Sequence, residues 1–349
     1  MKISTQLRYD VSPAEVAQQA VDLEAAGLDL IWVAEAYGVD AVSIMGYLAA
    51  VTEKVEIASG ILPLYTRTPT LLAMTTAGVD ALTGGRAILG LGASGPQVIE
   101  GWHGVVYDKP LARTREIVDI CRKVWAREEK LVHEGPLYPL PLPEGQGTGL
   151  GKPLKIIAHP VRPRIPIYVA ALGEKNVAMT AEIADGWLPL FFLPERAPDV
   201  FGPALAAGAA KRAPDLDPLA ICAGGLACIA EPEAATKVLD AFARPMAALY
   251  IGGMGARGRN FYNALVQRYG YEAEAEKIQD LYLSGRKDEA TAAVPDDLLQ
   301  LTNLCGPEGF VKERLAAMTE AGVTTLNVTP IGTPPEQVKI IEQLKDWSN

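Results

Sequence analysis

The sequence predicts an α/β chain folded as a (β/α)8 barrel, a single domain over residues 1–349 with insertions after strands four and seven. Three observations predict it. Strand-like apolar runs alternate with helical periodicity from the N-terminus, and four such βα units fit within the first 125 residues. Repeated βα units need right-handed crossovers and therefore build a parallel sheet. Eight strand-like runs occur in all, the number that closes a barrel. Finally, the chain has 349 residues, beyond the roughly 250 of a plain barrel by about 100. Two stretches, about 130–165 and 231–320, interrupt the alternation.

The elements follow in order. Residues 3–7 read as the first strand. Ser12-Pro13-Ala14-Glu15 opens a helix by N-cap and N1 proline, and Gly27 closes it. Residues 28–34 form the second strand and 41–51 the second helix. Residues 55–61 form the third strand, ending in Ser59-Gly60, followed by a Pro63 turn and the polar tip Tyr65-Thr66-Arg67. A helix runs from 69 to 82, the fourth strand from 86 to 93, and a helix from about 111 to 125. Residues 130–165 are rich in Pro and Gly and have no periodicity; a loop this long in a compact domain is usually functional, as a lid or ligand wall. Regularity resumes with a strand at 167–172, a helix at 174–184, and strands at 186–192 and 219–230. A mainly helical excursion spans 231–320, and strand 324–330 and helix 334–347 close the chain.

Composition narrows the function. The net charge of −10 and the scattering of basic residues in singles and pairs such as Lys211-Arg212 argue against a nucleic-acid surface. No run approaches 18 apolar residues, so no membrane span is expected. The start resembles a first strand and lacks the apolar core of a signal peptide, which points to the cytoplasm. The four cysteines (Cys121, Cys222, Cys228, Cys305) contain no CxxC pair and read as reduced core residues. The even spacing of Cys222 and Cys228 puts both on one face of a strand.

Chemistry is expected at the C-terminal strand ends, where ligands bind in α/β folds. Strand three ends in Gly60, offering its backbone to a ligand, with Thr66 and Arg67 within reach of a hydroxyl or phosphate. Gly90-Leu91-Gly92-Ala93-Ser94-Gly95 matches G-x-G-x-x-G, yet it follows the fourth strand, where a dinucleotide fingerprint follows the first. Pro96 and Gly101-Trp102-His103-Gly104 also make a poor helix start. The segment reads better as a Gly-rich strand end whose N–H groups and Ser94 hydroxyl meet a ligand. Ala170-Ala171-Leu172-Gly173-Glu174 repeats the device after strand five, with Gly173 at the mouth of a helix whose dipole favours phosphate. Strand two ends in Trp32-Val33-Ala34-Glu35-Ala36-Tyr37. The Glu35 carboxylate there is a candidate to accept from a ligand or carry a proton, or to pair with a loop arginine. No HxH, HExxH, paired-carboxylate or G-x-S-x-G pattern is present, so neither a metal site nor a nucleophile elbow is expected. Backbone-rich strand ends without a nucleophile suit an enzyme whose cofactor carries the chemistry.

In these residues the chain resembles the bacterial luciferase-like superfamily, and within it the deazaflavin (coenzyme F420)-dependent oxidoreductases. The resemblance rests on Ser59-Gly60-Ile61 with Tyr65-Thr66-Arg67-Thr68-Pro69, on the run from Leu82 through Gly84-Gly85-Arg86 to Ser94, on Pro166 to Gly173, on Ala184-Asp185-Gly186-Trp187-Leu188-Pro189, and on Ala321 to Val328. It implies a barrel with a flavin-like ring over the strand ends and a non-proline cis peptide at Gly60–Ile61; Leu62–Pro63 is the competing cis candidate, since a cis X–Pro bond costs only about 0.5–1 kcal/mol. It implies cofactor contacts from Gly60, Ile61, Thr66, Gly92, Ala93, Ser94, Gly95, Ala171, Leu172, Gly173 and Glu174, with Glu35 near the reacting edge. The partner is a small-molecule substrate, and the chain a homo-oligomer, a dimer by resemblance. Several deazaflavin dehydrogenases carry Asp-His-Phe where this chain has Glu35-Ala36-Tyr37, so the histidine is missing. Reductases acting on methylene-tetrahydromethanopterin are the nearer type. An FMN-dependent monooxygenase on the same scaffold and a non-catalytic flavin-binding protein are the alternatives.

Overall fold

The computed structural model describes residues 1–7 and 11–348. Each βα unit begins as the sequence pattern suggests. Strand β1 (Lys2–Gln6) leads to helix α1 (Pro13–Ala25), capped by Ser12 in a reciprocal capping box with Glu15. Strand β2 (Leu30–Val33) leads to α2 (Ala41–Val51), capped by Asp40. Strand β3 (Glu56–Ser59) continues as β4 (Leu62–Pro63), and α3 (Pro69–Thr83) follows, capped by Thr68. Strand β5 (Ala87–Gly92) is followed by a short helix α4 (Pro96–Gly101) and by α5 (Pro110–Ala126). Pro96 therefore does start a helix, contrary to the sequence reading, because proline at the first helical position needs no N–H partner.

Residues 130–165 carry no helix or multi-residue strand, only an isolated bridge between His133 and Leu140. The chain then forms β6 (Ile167–Ala170), α6 (Glu174–Ile183), β7 (Gly186–Leu188), α7 (Ala197–Ala209), β8 (Ala220–Ala223) and β9 (Leu226–Ile229). Residues 219–230 were expected as one strand; Gly224-Gly225 splits them in two. A Cβ at Gly224 would meet the Asn327 carbonyl, and one at Gly225 the Thr302 carbonyl, so only glycine lets the backbones approach this closely. Cys222 is consequently buried inside the barrel, whereas Cys228 lies half-buried beyond the break. The helical excursion includes a strand the sequence reading did not anticipate, β10 (Leu304–Gly306), which pairs in parallel with β9 and sets Cys305 beside Cys228. Strand β11 (Thr325–Pro330) and helix Pro334–Ser348 complete the described fold.

Strands β1, β2, β3, β5, β6, β7, β8 and β11 pair in that order, all parallel, and β11 returns to β1. The sheet is a closed eight-stranded barrel. Outward residues such as Ile3, Ile31, Ile57, Leu89 and Val169 pack under the helices. Inward ones form a second cluster of Leu30, Trp32, Ala58, Ile88, Tyr168 and Cys222. Trp32 and Tyr168 fill the lumen, with ring centres 5.6 Å apart. The barrel is thus plugged in its middle, and any ligand must sit at one end.

At the N-terminal end of the barrel, side chains meet the first backbone donors of the strands. Ile3 N–H donates to Asp29 at 2.7 Å, Val55 to Glu24 at 2.8 Å and Ala87 to Asp80 at 3.2 Å. Ile167 donates to Asp185 at 2.9 Å and Ile221 to the Thr324 hydroxyl at 2.9 Å. This end is closed.

Candidate active site

The C-terminal end differs in composition and bonding. The inward positions of the last strand layer are small: Gly60, Gly92 and Ala170. Between Ala58 and Leu62 the third strand advances four residues while β5 advances three, from Ile88 to Leu91. That one-residue excess is a bulge at Ser59–Ile61. The Gly60–Ile61 peptide within it is cis, as the resemblance implied; the cis X–Pro bond is Leu140–Pro141, not Leu62–Pro63. Ser59 fastens the bulge to β5, its hydroxyl donating to the Gly90 carbonyl and accepting from the Gly90 N–H, both at 2.9 Å.

The glycines form a floor. A Cβ at Gly60 would lie 3.1 Å from the Trp32 Cβ, and one at Gly92 would lie 2.7 Å from the Ile61 Cδ1 and 3.4 Å from the Ala170 Cβ. Gly60 thus covers the lumen tryptophan, and Gly92, Ile61 and Ala170 close over it side by side. A flat apolar surface made from backbone and small side chains suits a planar ring.

Beside this floor lie backbone donors with no acceptor. The N–H groups of Ser94, Gly95, Gly173 and Glu174 donate to no described residue. Gly95 and Gly173 are the N-caps of α4 and α6, and neither gives a side-chain cap. Ser94 has φ +57°, which turns the chain so that successive amides face one side. Asn176, in the first turn of α6, has its buried Oδ1 without a partner. Because β5 and β6 are neighbours, these donors share one stretch of rim. Free N–H groups at a helix start, with the positive dipole end behind them, are a seat for an anionic oxygen. Phe261, from the excursion, leans over this seat, its Cε1 3.7 Å from where a Gly173 Cβ would stand. Nothing in the local sequence marks Phe261; it lies 88 positions beyond Gly173, within a helix capped by Asn260.

Glu35 lies at the rim after β2, gripped by Arg67. The two carboxylate oxygens accept from the guanidinium at 2.5 and 2.8 Å, and Oε2 also accepts the Ala41 N–H at 3.1 Å. Both side chains are largely buried. The Glu35 hydrogen bond raises the Arg67 pKa, opposed by burial. Asp40, below its usual value through the Ser43 hydroxyl, backbone donors and Arg67, caps α2 next to the pair. Thr66 donates to the Pro63 carbonyl at 3.2 Å and accepts from Arg67 at 3.3 Å, which joins the tip to the same network.

Aromatic side chains stand above. Tyr37, after β2, and Trp102, after α4, have ring centres 6.3 Å apart, and both are about two-thirds exposed. They reach each other from strands on either side of β3. Tyr65 and Tyr107 pair at 5.2 Å, and Arg113 lies over Tyr65 at 5.4 Å and over Tyr138 at 5.5 Å. Burial pushes the Tyr65 and Tyr107 phenols up, so both stay protonated near neutrality. The 130–165 loop is tied to α5 by His133, whose ring nitrogens lie 3.2 Å from Glu116 and 3.0 Å from Asp119. His103 and His159 are exposed. Among the described residues no cluster of His, Cys, Asp or Glu is suited to a metal ion.

The predicted site residues therefore lie at or just beyond the C-terminal ends of four consecutive barrel strands, β2, β3–β4, β5 and β6. Thr66 faces the Glu35–Arg67 network and Glu174 points outward, 3.5 Å from Arg268. No helix among the described residues is long and apolar enough to cross a membrane.

Residues 1–325 match the sequence model of the luciferase-like monooxygenase family. A Mycobacterium tuberculosis protein provisionally named a coenzyme F420-dependent oxidoreductase is 43% identical over 335 residues, covering 94% of this chain and 95% of that protein. The 5,10-methylenetetrahydromethanopterin reductase of Archaeoglobus fulgidus is 27% identical over 351 residues, covering 98% and 97%. Among solved structures, the coenzyme F420-dependent tetrahydromethanopterin reductase from Methanopyrus kandleri superposes with a TM-score of 0.76 at 23% identity, covering 98% of this chain and 96% of that one.

Proposed function

The chain belongs to the luciferase-like monooxygenase family, and we propose that it is an oxidoreductase moving hydride between coenzyme F420 and an organic substrate. The observation that carries this reading is the pairing of a glycine floor with unsatisfied backbone donors on β5 and β6. Together they offer a planar ring a seat and a phosphate a neutral cradle. When bound, the deazaflavin supplies the carbon that accepts or gives the hydride. Gly60, Ile61, Gly92 and Ala170 support its ring from below. Ser94, Gly95, Gly173 and Glu174 hold its phosphate through N–H groups, with Ala93, Ala171 and Leu172 lining the way between.

The substrate enters from the open side, where Tyr37 and Trp102 present apolar surface and exclude water from the reacting face. Glu35 and Arg67 neutralise one another and fix the loops after β2 and β4, so the wall that carries Tyr37 is held in place. Glu35 handles a proton only if it leaves Arg67 during turnover. We read residues 130–165 and 231–320 as insertions into a single barrel domain. Four cysteines without a disulfide suit a reducing cytoplasm.

The chain assembles as a homodimer through α2 and α3. These helices expose Tyr47, Leu71, Met74 and Leu82, and their only charged residue, Asp80, is buried. Met74→Glu with Leu82→Glu should shift the sedimentation coefficient to that of a monomer; an unchanged value would place the interface elsewhere.

The deciding experiment is a fluorescence titration of the protein with coenzyme F420 and with FMN, followed by oxygen uptake with each reduced cofactor. Tight F420 binding without oxygen uptake is expected. FMN binding with oxygen consumption would assign the monooxygenase reading instead. F420 binding without turnover on any substrate panel would leave a binding protein.

A further inference from the structure

The glycine floor and the amide seat occupy the β3 to β6 side of the barrel mouth; the opposite side has no part in them. In the strand order, β11 and β1 stand across the barrel from β5 and β6, three steps away in either direction. What these two strands present to the mouth follows from their register. Ser4 of β1 lies opposite Asn327 of β11. Its hydroxyl donates to the Asn327 Oδ1 at 3.1 Å and lies 3.7 Å from the Cys222 thiol in the lumen. Both side chains therefore point inward, while Ile3, Leu326 and Val328 pack outward under the helices. Side chains on one face of a strand recur every second residue, so the next inward pair toward the mouth is Gln6 and Thr329.

Exposure follows the same order. Ser4, Thr5 and Val328 are buried, Asn327 is half-buried, and Gln6 and Thr329 are exposed, as inward residues become where a lumen opens. The wall they form is polar and uncharged. The Gln6 amide, the Thr329 hydroxyl and the Asn327 NH2 bond to no described residue. The one charged side chain of the two strands, Lys2, sits at the opposite end, paired with Glu56. On β3, β5 and β6 the residues at the mouth are Gly60, Gly92 and Ala170, which leave room and offer no hydrogen bond. The two sides of one opening thus have different chemistry.

A phosphate or carboxylate is a poor occupant for this wall, because no cation there offsets the loss of its hydration. Glutamine and asparagine each offer a carbonyl and an NH2 in one plane, and the threonine hydroxyl both donates and accepts. Such groups match a planar, uncharged edge that carries a donor beside an acceptor, as the same side chains do on the edge of adenine. We infer that Gln6, Asn327 and Thr329 hold the substrate, and that it presents to them an uncharged amide or lactam edge. The apolar remainder of the molecule lies toward β2, the neighbour of β1, where Tyr37 and Trp102 stand. The inference rests on the F420 reading, which leaves this side of the mouth to the substrate, and adds to it a substrate class.

The test is a ligand-observed NMR titration of the F420-loaded protein with benzamide and benzoate, two probes of one shape that differ in charge and in the N–H donor. Wild type should bind benzamide about tenfold more tightly than benzoate. Gln6→Leu combined with Thr329→Val should remove that preference while leaving F420 affinity, followed by fluorescence, unchanged. Gln6→Lys should turn the preference toward benzoate. No preference in wild type, or one that survives the double variant, overturns the wall and leaves the cofactor reading standing. A double variant that loses F420 affinity means that the wall reads the cofactor, and the substrate class is then wrong. If F420 does not bind and FMN does, the cofactor reading itself has failed, and the inference with it. A melting curve for each variant verifies that these changes at exposed positions leave the fold intact.

Discussion

At the N-terminal end of the barrel, the backbone donors of Ile3, Val55, Ala87, Ile167 and Ile221 each meet a carboxylate or hydroxyl; at the C-terminal end, those of Ser94, Gly95, Gly173 and Glu174 meet no acceptor among the described residues. The same strands run between the two ends, so strand geometry does not set the difference. Side chains do. Aspartates and glutamates supplied by α1, α3 and the loops seal the lower rim, and glycine or alanine stands where a cap would seal the upper one. A polar group left without a partner carries a desolvation cost if buried, so an open rim is tolerated where water or a ligand completes it. The lower end is built for stability and the upper end for occupancy. Changes at one end should therefore alter one measured quantity and leave the other.

The largest expected effect is at the closed end. Asp80 is fully buried, accepts the Ala87 N–H and pairs with Arg162 at 2.5 Å. Asp80→Ala leaves a guanidinium and an amide without their partner and should cost about 3 kcal/mol of stability. Cofactor affinity per folded molecule should be preserved. Urea unfolding and a titration on one preparation check both; a loss of affinity equal to the loss of stability would erase the distinction between the ends.

Next comes the open end. Gly173 has an ordinary negative φ of −72°, so a side chain there is not excluded by backbone conformation. Gly173→Leu should fold normally, push against Phe261 and cover the amide seat, weakening cofactor binding about tenfold or more. Lys175→Ala should cost less if, as proposed, neutral donors hold the phosphate. If the lysine change proves equal or larger, side-chain charge holds the phosphate and the neutral cradle is misassigned.

How much of this was legible in the sequence follows from the range of each interaction. Strands β1, β2, β3, β5 and β6 were legible because alternating apolar residues, glycine stops and N-cap residues such as Ser12 and Thr68 are local signals; Leu62–Pro63, read as a turn, is instead the short strand β4, because the bulge before it returns the chain to β5. The Gly-ended strands marked the rim for the same reason. The pairing of Glu35 with Arg67 was legible only as an alternative, since the partners are 32 residues apart and meet through the adjacency of β2 and β3. The break at Gly224-Gly225 was missed because its cause is close approach by Thr302 and Asn327, residues remote in sequence. The position of Phe261 over Gly173 depends on three-dimensional packing alone.

Glu35 tests whether a residue at the open end can behave like one from the closed end. Glu35→Gln keeps an acceptor but removes the charge opposite Arg67, and should lower stability by about 1–3 kcal/mol. Turnover per folded molecule should stay within a few-fold of wild type. A rate loss of about 10²-fold with an unchanged melting temperature would instead make Glu35 a proton carrier.

The smallest effect returns to the closed end, where pH reveals the bonding. Burial raises the Glu24 pKa, but hydrogen bonds from the Val55, Lys54 and Glu53 amides and the nearby Arg86 outweigh it, so the folded carboxyl lies below its usual 4.5. A group whose folded pKa is depressed stabilises the fold fully above the unfolded value, and loses that contribution as pH falls through the folded value. Glu24→Gln should thus cost about 1 kcal/mol at neutral pH. The gap between wild type and variant should hold constant down to about pH 5, then narrow toward zero in more acid solution as Glu24 itself becomes neutral. Denaturant unfolding of both proteins across that range measures it directly. A gap that does not change with pH would mean that Glu24 acts through packing, not through its charge, and that the lower rim is sealed by shape as much as by its carboxylates.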